Sequence, residues 1–256
     1  MAKCFIHDEE NCVRCALDPV ASPTIHLNIL LDISTSMYSR WHQTISGLNE
    51  YIESLRLDDH NYKVTITEFG LENEVRDLCS EADLDKVPHF DGTSYQPHGR
   101  GTALWGAVGI TLKKVNTTEP VLFVVITDGE ENSSHTWNQD SVNTLIAERQ
   151  KLGNYTFAYL GVAIEAWGNA SAVAAFAASS CNLQSSDYSS DTYKGLATLT
   201  RSYSRTMSVN SAHGGPMNVA CFYSQPQDGT SDESVDNVLS HSNTAASTQS
   251  GWKSEQ

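Results

Sequence analysis

Two nearly continuous apolar segments constrain the folding of this 256-residue chain more than any other feature. They lie at residues 25–31 (IHLNILL) and 121–127 (VLFVVIT). Unbroken apolar segments of this length are typical of strands that are covered on both faces, as in a parallel sheet. Residues 63–69 alternate more and suggest a strand nearer an edge. Two further strands are predicted at residues 155–161 and 181–184.

Helical patterns lie between these strand candidates. In each of them apolar side chains recur every three or four residues, which is the spacing of one helix face. The alternation predicts βαβ units and an α/β fold with a doubly wound, mainly parallel central sheet flanked by helices. Ligands of such sheets bind beyond the carboxyl ends of the strands. The predicted helices cover residues 41–55, 102–115, 139–152, 166–178 and 192–207.

The composition divides the chain into three zones. Residues 1–22 carry three of the six cysteines and little apolar periodicity, and residues 24–210 carry the strand and helix patterns. In residues 224–256, Ser, Thr and Gln make up 15 of 33 positions, too polar a segment to offset its ordering entropy by burial. We therefore expect a cysteine-rich arm, one domain and a disordered tail.

The charge balance excludes some classes of partner. With 16 basic and 31 acidic residues the formal net charge is −15, which argues against nucleic acid because phosphate binding needs a basic surface. The longest apolar run, residues 172–178, is far shorter than the roughly 20 residues of a membrane-spanning helix. The first residues lack the apolar core of a secretory signal. We expect a cytoplasmic protein that binds neither nucleic acid nor membrane.

Oxygen-bearing side chains follow the two strongest strands. Asp32, Ser34 and Ser36 follow the first, and Asp128 follows the segment 121–127. Between them, a glycine-rich loop ends at Thr102. Because the carboxyl ends of parallel strands share one edge, these residues are expected to form one site. Carboxylates and hydroxyls are hard ligands that suit Mg²⁺, Ca²⁺ or Mn²⁺.

This set of residues resembles the metal-ion-dependent adhesion site of von Willebrand factor A domains. The family has Asp-x-Ser-x-Ser after its first strand, a Thr in a glycine-rich loop and Asp-Gly after its fourth strand. The resemblance covers about residues 24–208 and implies a Rossmann-like fold. It also implies that an ion, Mg²⁺ first, binds an acidic side chain of a protein partner. The implied ligands are Asp32, Ser34, Ser36, Thr102 and Asp128, the two aspartates acting partly through water.

Three further stretches are similar to the intracellular bacterial and phage type of this family. They are residues 47–51 (GLNEY), 127–132 (TDGEEN) and 159–161 (YLG). The resemblance implies a bacterial cell or phage as the source. It also makes an AAA+ ATPase, or a kinase and phosphatase system, an expected class of partner.

The N-terminal arm contains two close pairs of soft ligands. Cys4 and His7 form the first pair, and Cys12 and Cys15 form the second. Four such ligands suit tetrahedral Zn²⁺, although the four-residue spacer between the pairs is short for a zinc ribbon. The alternatives are a reduced, flexible arm or, in an oxidising compartment, a disulfide. His26 is an alternative ligand that lies within the first strand.

The sequence is compatible with three functions. The first is a cation-dependent protein-interaction module without enzymatic activity. The second is a structural component of a phage particle or bacterial complex. The third, the least favoured, is a metal-dependent phosphoesterase or hydrolase in which Glu130 or Glu131 acts as a base. The sequence has no P-loop, dinucleotide fingerprint, nucleophile elbow or H-E-x-x-H motif that would indicate another enzyme class.

Overall fold

The computed structural model of the protein describes residues 22–161, 182–183 and 188–213. They contain a six-stranded sheet whose spatial order is β3-β2-β1-β4-β5-β6 when strands are numbered along the chain. Every neighbouring pair is parallel except the second and third strands, which are antiparallel. The strands are β1 (Ile25–Asp32), β2 (Tyr62–Phe69), β3 (Arg76–Asp83), β4 (Val121–Thr127), β5 (Tyr155–Gly161) and β6 (Asn182–Leu183).

Helices cover both faces of this sheet. The described helices are α1 (Trp41–Arg56), α2 (Leu104–Lys114), α3 (Gln139–Lys151) and α4 (Ser190–His213), with short 3-10 helices at Thr35–Arg40 and Leu84–Lys86. One apolar core joins the sheet to α1 and α4, and a second joins its other face to α2 and α3. The predicted doubly wound α/β fold is therefore confirmed. In the described part of the chain, no helix combines the length and apolar character needed to cross a membrane.

The edge strand β3 was not predicted. Its sequence, RDLCSEAD, has no apolar run, and its side chains are exposed or half-buried. It is a strand because the inner strand β2 pairs with it through antiparallel hydrogen bonds, including at Ile66 and Cys79. The segment predicted to lie near an edge is thus second from the edge. The predicted helix at residues 166–178, the cysteine arm and the polar tail lie outside the described residues.

The strand order brings the predicted site residues to one place. From β1 the chain continues to β2 on one side of the sheet, and from β4 it continues to β5 on the other side. The adjacent strands β1 and β4 therefore form the switch point, where doubly wound sheets bind ligands. Leu31 is in register with Ile126. Asp32, the last residue of β1, consequently lies beside Thr127, the last residue of β4.

The stretch of residues 47–51 fixes α4 against α1. A Cβ on Gly47 would lie 2.0 Å from the ring of Tyr193, so the two helices approach at a position where only glycine fits. The Tyr51 hydroxyl is 2.9 Å from the hydroxyl of Thr200, and Glu50 accepts a 2.5 Å hydrogen bond from the hydroxyl of the first residue of α4. These residues therefore have a packing role on the face of α1 that contacts α4.

The close contact at Gly47 yields a matched pair of substitutions. We expect Gly47→Ala to lower the free energy of unfolding by about 1–3 kcal/mol, because the methyl group overlaps the fully buried ring of Tyr193. Gly195→Ala in α4 places its methyl group in open space and should be neutral or raise stability by up to about 1 kcal/mol through helix propensity. Urea denaturation measures both. Equal effects of the two substitutions would contradict this account of the α1–α4 contact.

Candidate metal centre

The Asp32 carboxylate is fully buried at the end of β1 and is held by neighbouring donors. The Ser34 amide donates to its Oδ1 at 2.6 Å, and the Thr127 hydroxyl donates to its Oδ2 at 2.5 Å. The hydroxyl of buried Tyr95 donates to the Asp32 main-chain oxygen at 2.6 Å. Asp32 is therefore fixed in position, and its charge is partly balanced by two hydrogen bonds.

The two serines lie where β1 passes into the first 3-10 helix. The hydroxyls of Ser34 and Ser36 are 2.9 Å apart. A bridge between Ser34 and Gly99 holds this turn, and the Thr35 amide donates to the Gly99 oxygen at 3.0 Å. Ser34 is buried and Ser36 is exposed. The hydroxyl pair therefore runs from the buried carboxylate to the surface, so a ligand can approach from solvent.

Thr102 comes close to the strand ends because Gly129 has no side chain. A Cβ on Gly129 would lie 2.7 Å from the Thr102 hydroxyl oxygen and 3.3 Å from Asp32 Oδ2. The Thr102 hydroxyl and the Asp32 carboxylate thus meet over the backbone of the β4 loop. Ala103, which follows Thr102, donates its amide to the Gly70 oxygen at 2.7 Å. The position of Thr102 is therefore set by the backbone on both sides.

Asp128 is held by an unexpected partner. Its side chain is only 2% exposed, and its Oδ2 accepts a 2.6 Å hydrogen bond from Nη1 of Arg40 at the end of the first 3-10 helix. The buried Oδ1 has no hydrogen-bond partner among the described residues. One oxygen of this predicted ligand is thus paired with a guanidinium group, and the other remains available.

Glu131 and Asn132 tie the loop after β4 to the start of α2. Glu131 accepts hydrogen bonds from the amide of Trp105 at 2.8 Å, the amides of Ser133 and Ser134 at 2.8 Å and the Ser134 hydroxyl at 2.7 Å. The Trp105 amide is in the first turn of α2, where helical amides lack partners within the helix. The Asn132 side chain accepts from the Thr102 amide at 2.9 Å. Both residues are therefore part of the framework of the site.

The donor set fits a hard divalent cation. Five oxygen-bearing side chains lie around the carboxyl ends of β1 and β4. They are the carboxylates of Asp32 and Asp128 and the hydroxyls of Ser34, Ser36 and Thr102. The buried Oδ1 of Asp128, which accepts no hydrogen bond from a described residue, is the kind of atom that a cation or its bound water satisfies. Within the described ranges there is no cluster of three or more His, Cys, Asp or Glu with metal-binding geometry. Hydroxyl ligands therefore carry much of this candidate site.

The structure brings all five sequence-predicted ligand residues to the switch point, and it gives three further residues structural roles that the sequence did not indicate. Thr127, Arg40 and Glu131 act through contacts that span 95, 88 and 26 positions of the chain. Thr127 and Glu131 lie within residues 127–132, a stretch that resembles the family, whereas Arg40 lies in no such stretch. Glu131 was named from the sequence as a candidate base, whereas its two oxygens accept hydrogen bonds from four donors.

The predicted zinc ligands Cys4, His7, Cys12 and Cys15 lie outside the described residues, so the zinc arm stays a prediction. The alternative ligand His26 lies in β1. Its Nε2 is 2.8 Å from Glu119 and its Nδ1 is 3.1 Å from Glu81. Both ring nitrogens therefore face carboxylates at the amino end of β1, at the opposite end of the strand from Asp32.

Comparisons with known proteins find matches among solved structures only, at low sequence identity. No model of a known protein family matches the sequence, and no curated protein matches it. Among solved structures, proximal thread matrix protein 1 from the mussel byssus is 14% identical over 71% of this chain and 46% of its own, with a TM-score of 0.47.

Two further solved structures match at a similar level. The form of the mussel protein described as having a zinc-occupied MIDAS motif is 14% identical over 71% of this chain and 47% of its own, with a TM-score of 0.48. The von Willebrand factor type A structure from Catenulispora acidiphila is 16% identical over 72% and 43%, with a TM-score of 0.47. This chain thus spans less than half the length of each.

Burial of Asp32 predicts a pH-dependent stability. Burial raises the pKa of its carboxyl from 3.8 to about 6; the hydrogen bonds from Thr127 and Ser34 oppose this rise and the nearby charge of Asp128 adds to it. The folded state thus binds the proton more tightly than the unfolded state. This group's contribution to stability is therefore greatest at low pH and declines as pH rises from about 4 to about 6.

Asp32→Asn removes this titration. In EDTA, we expect the free energy of unfolding of Asp32→Asn minus that of the wild type to increase by about 2 kcal/mol between pH 4 and pH 7, and then to level off. Chemical denaturation at a series of pH values measures the difference. Asp59→Asn, an exposed aspartate, is the control and should show no such trend. A difference for Asp32→Asn that does not change with pH would contradict the account.

Proposed function

We propose that this domain binds a divalent cation at the carboxyl ends of β1 and β4 and, through it, an Asp or Glu side chain of a protein partner. The observation that carries the proposal is the convergence of two buried carboxylates and three hydroxyls at the switch point of the sheet. One of those carboxylates has a buried oxygen to which no described residue donates a hydrogen bond. When bound, the cation supplies a Lewis-acidic position for a carboxylate. Mg²⁺ is the first candidate because every donor is a hard oxygen.

The residues of the site favour completion by an external ligand. Ser34, Ser36 and Thr102 are neutral, so the only negative charges come from Asp32 and Asp128. Mg²⁺ takes six oxygen ligands at roughly 2.0–2.1 Å and usually keeps several waters. Hydroxyls and waters are weaker ligands than carboxylates, so the exposed side of the ion, next to Ser36, is where a stronger ligand would enter. A partner carboxylate reaching that side would replace a water of the ion.

An exposed aromatic side chain beside the site favours a protein as the partner. Tyr38 lies in the same 3-10 helix as Ser36, and its side chain is 63% exposed. Its ring is 5.8 Å from the ring of Trp41, which supports it from one side. Aromatic residues are enriched in protein interfaces. Tyr38 therefore offers a contact for the surroundings of a partner's acidic residue.

An enzymatic alternative receives less support from the site. The hydrolase hypothesis required Glu130 or Glu131 as a base. Both oxygens of Glu131 accept hydrogen bonds from donors in α2 and in its own loop, so this carboxylate is committed to structure. Glu130 is exposed.

Four features remain predictions from the sequence. They are a non-enzymatic role, the bacterial or phage origin, the cytoplasmic location and an AAA+ ATPase or kinase and phosphatase partner.

The first experiment measures cation binding directly. By isothermal titration calorimetry at pH 7.5, we expect Asp32→Asn and Asp128→Asn to weaken Mg²⁺ binding by at least about tenfold, because each removes a charge from the ligand set. The control Asp59→Asn removes an exposed carboxylate elsewhere and should bind as the wild type does. The same titrations with Mn²⁺ and Ca²⁺ rank the ions. Wild-type protein that binds none of them would contradict the proposal.

The second experiment tests the partner surface. We expect Tyr38→Ala to reduce recovery of a partner several-fold in affinity purification from the native source, while leaving Mg²⁺ affinity unchanged. Leu57→Ala removes another strongly exposed apolar side chain, just beyond the end of α1, and is the matched control. EDTA should abolish recovery with the wild type. A partner retained equally in EDTA and by Asp32→Asn would instead favour a permanent structural assembly that needs no cation.

A further inference from the structure

Arg40 places a fixed positive charge on one of the proposed cation ligands. Its Nη1 donates to Asp128 Oδ2 at 2.6 Å, and its guanidinium carbon lies 5.6 Å from the centre of the Tyr188 ring. The side chain of Asp128 is 2% exposed and that of Arg40 is 28% exposed. A charge-assisted hydrogen bond to a carboxylate that is removed from water is much stronger than a surface ion pair. Arg40 is therefore a stable component of the site.

The arrangement leaves room for both Arg40 and a cation. Arg40 uses Oδ2 of Asp128, whereas the buried Oδ1 has no partner among the described residues. The charges then sum simply: two carboxylates and one guanidinium give −1, a divalent cation brings the total to +1, and one incoming carboxylate brings it to zero. Arg40 thus weakens the attraction for a cation alone and strengthens the attraction of the loaded site for an acidic ligand.

The guanidinium group also has donors to spare. Of its five N–H donors, only Nη1 makes hydrogen bonds to described residues, namely to Asp128 and to Ser39 at 3.3 Å. The planar arrangement of these donors matches a carboxylate. Tyr188 packs against the group and limits its orientation. The remaining donors lie on a partly exposed side chain that shares a short helix with exposed Ser36 and Tyr38.

We infer that Arg40 is a second contact for the partner's carboxylate and that it makes cation binding and carboxylate binding depend on each other. The inference rests on the proposed function and adds a residue to it. With Arg40 present, neither the cation nor the acidic ligand binds strongly alone. Each raises the affinity for the other by the same factor, because the coupling between two ligands is reciprocal.

The coupling is measured from the cation side, so no partner is required. Calorimetry gives the Mg²⁺ dissociation constant in sodium chloride and in sodium acetate of equal ionic strength, corrected for Mg²⁺ bound by acetate in solution. For the wild type we expect acetate to tighten Mg²⁺ binding about fivefold or more. For Arg40→Gln we expect Mg²⁺ alone to bind about tenfold more tightly and the effect of acetate to fall below about twofold.

Two further variants separate charge from geometry. Arg40→Lys keeps the charge but loses the planar donors, so Mg²⁺ alone should bind as in the wild type while the effect of acetate decreases. Arg205→Gln removes an equal charge from an exposed position on α4 and should change neither quantity. If Arg40→Gln does not fold, as judged by thermal unfolding, Arg40→Lys carries the test.

The outcomes distinguish the two proposals. A wild type that binds Mg²⁺ and responds to acetate, with the same affinity and response in both Arg40 variants, would overturn the role of Arg40 and leave the proposed function intact. A wild type that binds Mg²⁺ but does not respond to acetate would overturn the inference about the carboxylate. A wild type that binds no divalent cation would overturn both.

Discussion

The structure of the site depends on a carboxylate buried at the end of a central strand. Asp32 is removed from water at the end of β1, which is a central strand of the sheet. Burial of an ionised group lowers the stability of the fold unless the group is paired or hydrogen-bonded. The Ser34 amide and the Thr127 hydroxyl supply that compensation from two different strand ends. The geometry that stabilises this charge thus also fixes the relative positions of β1, β4 and the hydroxyl groups around them.

The sequence predicted most of the sheet because its inner strands are apolar on both faces. The two runs ending at Leu31 and Thr127 became the adjacent strands at the switch point, and the predicted helices at residues 41–55, 102–115 and 139–152 lie within two residues of their predicted bounds. The edge strand β3 was missed because a strand with one neighbour and exposed side chains carries no such signal. Its existence depends on pairing with β2, which local sequence does not encode.

In the candidate site, too, features set by local sequence were predictable, whereas features set by distant partners were not. The five predicted ligand residues were identifiable because they occupy short motifs directly after strands. The roles of Arg40 and Glu131 in holding the site were not, because they depend on partners far away in the chain, Asp128 and the first turn of α2. Neither side chain's neighbours in the sequence indicate these partners. Only the fold reveals that each carboxylate or guanidinium has a specific partner.

The loop that carries Thr102 is held on both sides before any ligand arrives. On one side Gly99 is bonded to the backbone of Ile33 and Thr35, and on the other Asn132 accepts from the Thr102 amide. The conformational entropy of this loop has therefore been lost during folding. The rate at which an ion binds to such a preformed site would be limited mainly by the loss of its own hydration water, which Mg²⁺ gives up slowly. It would not be limited by closure of a loop.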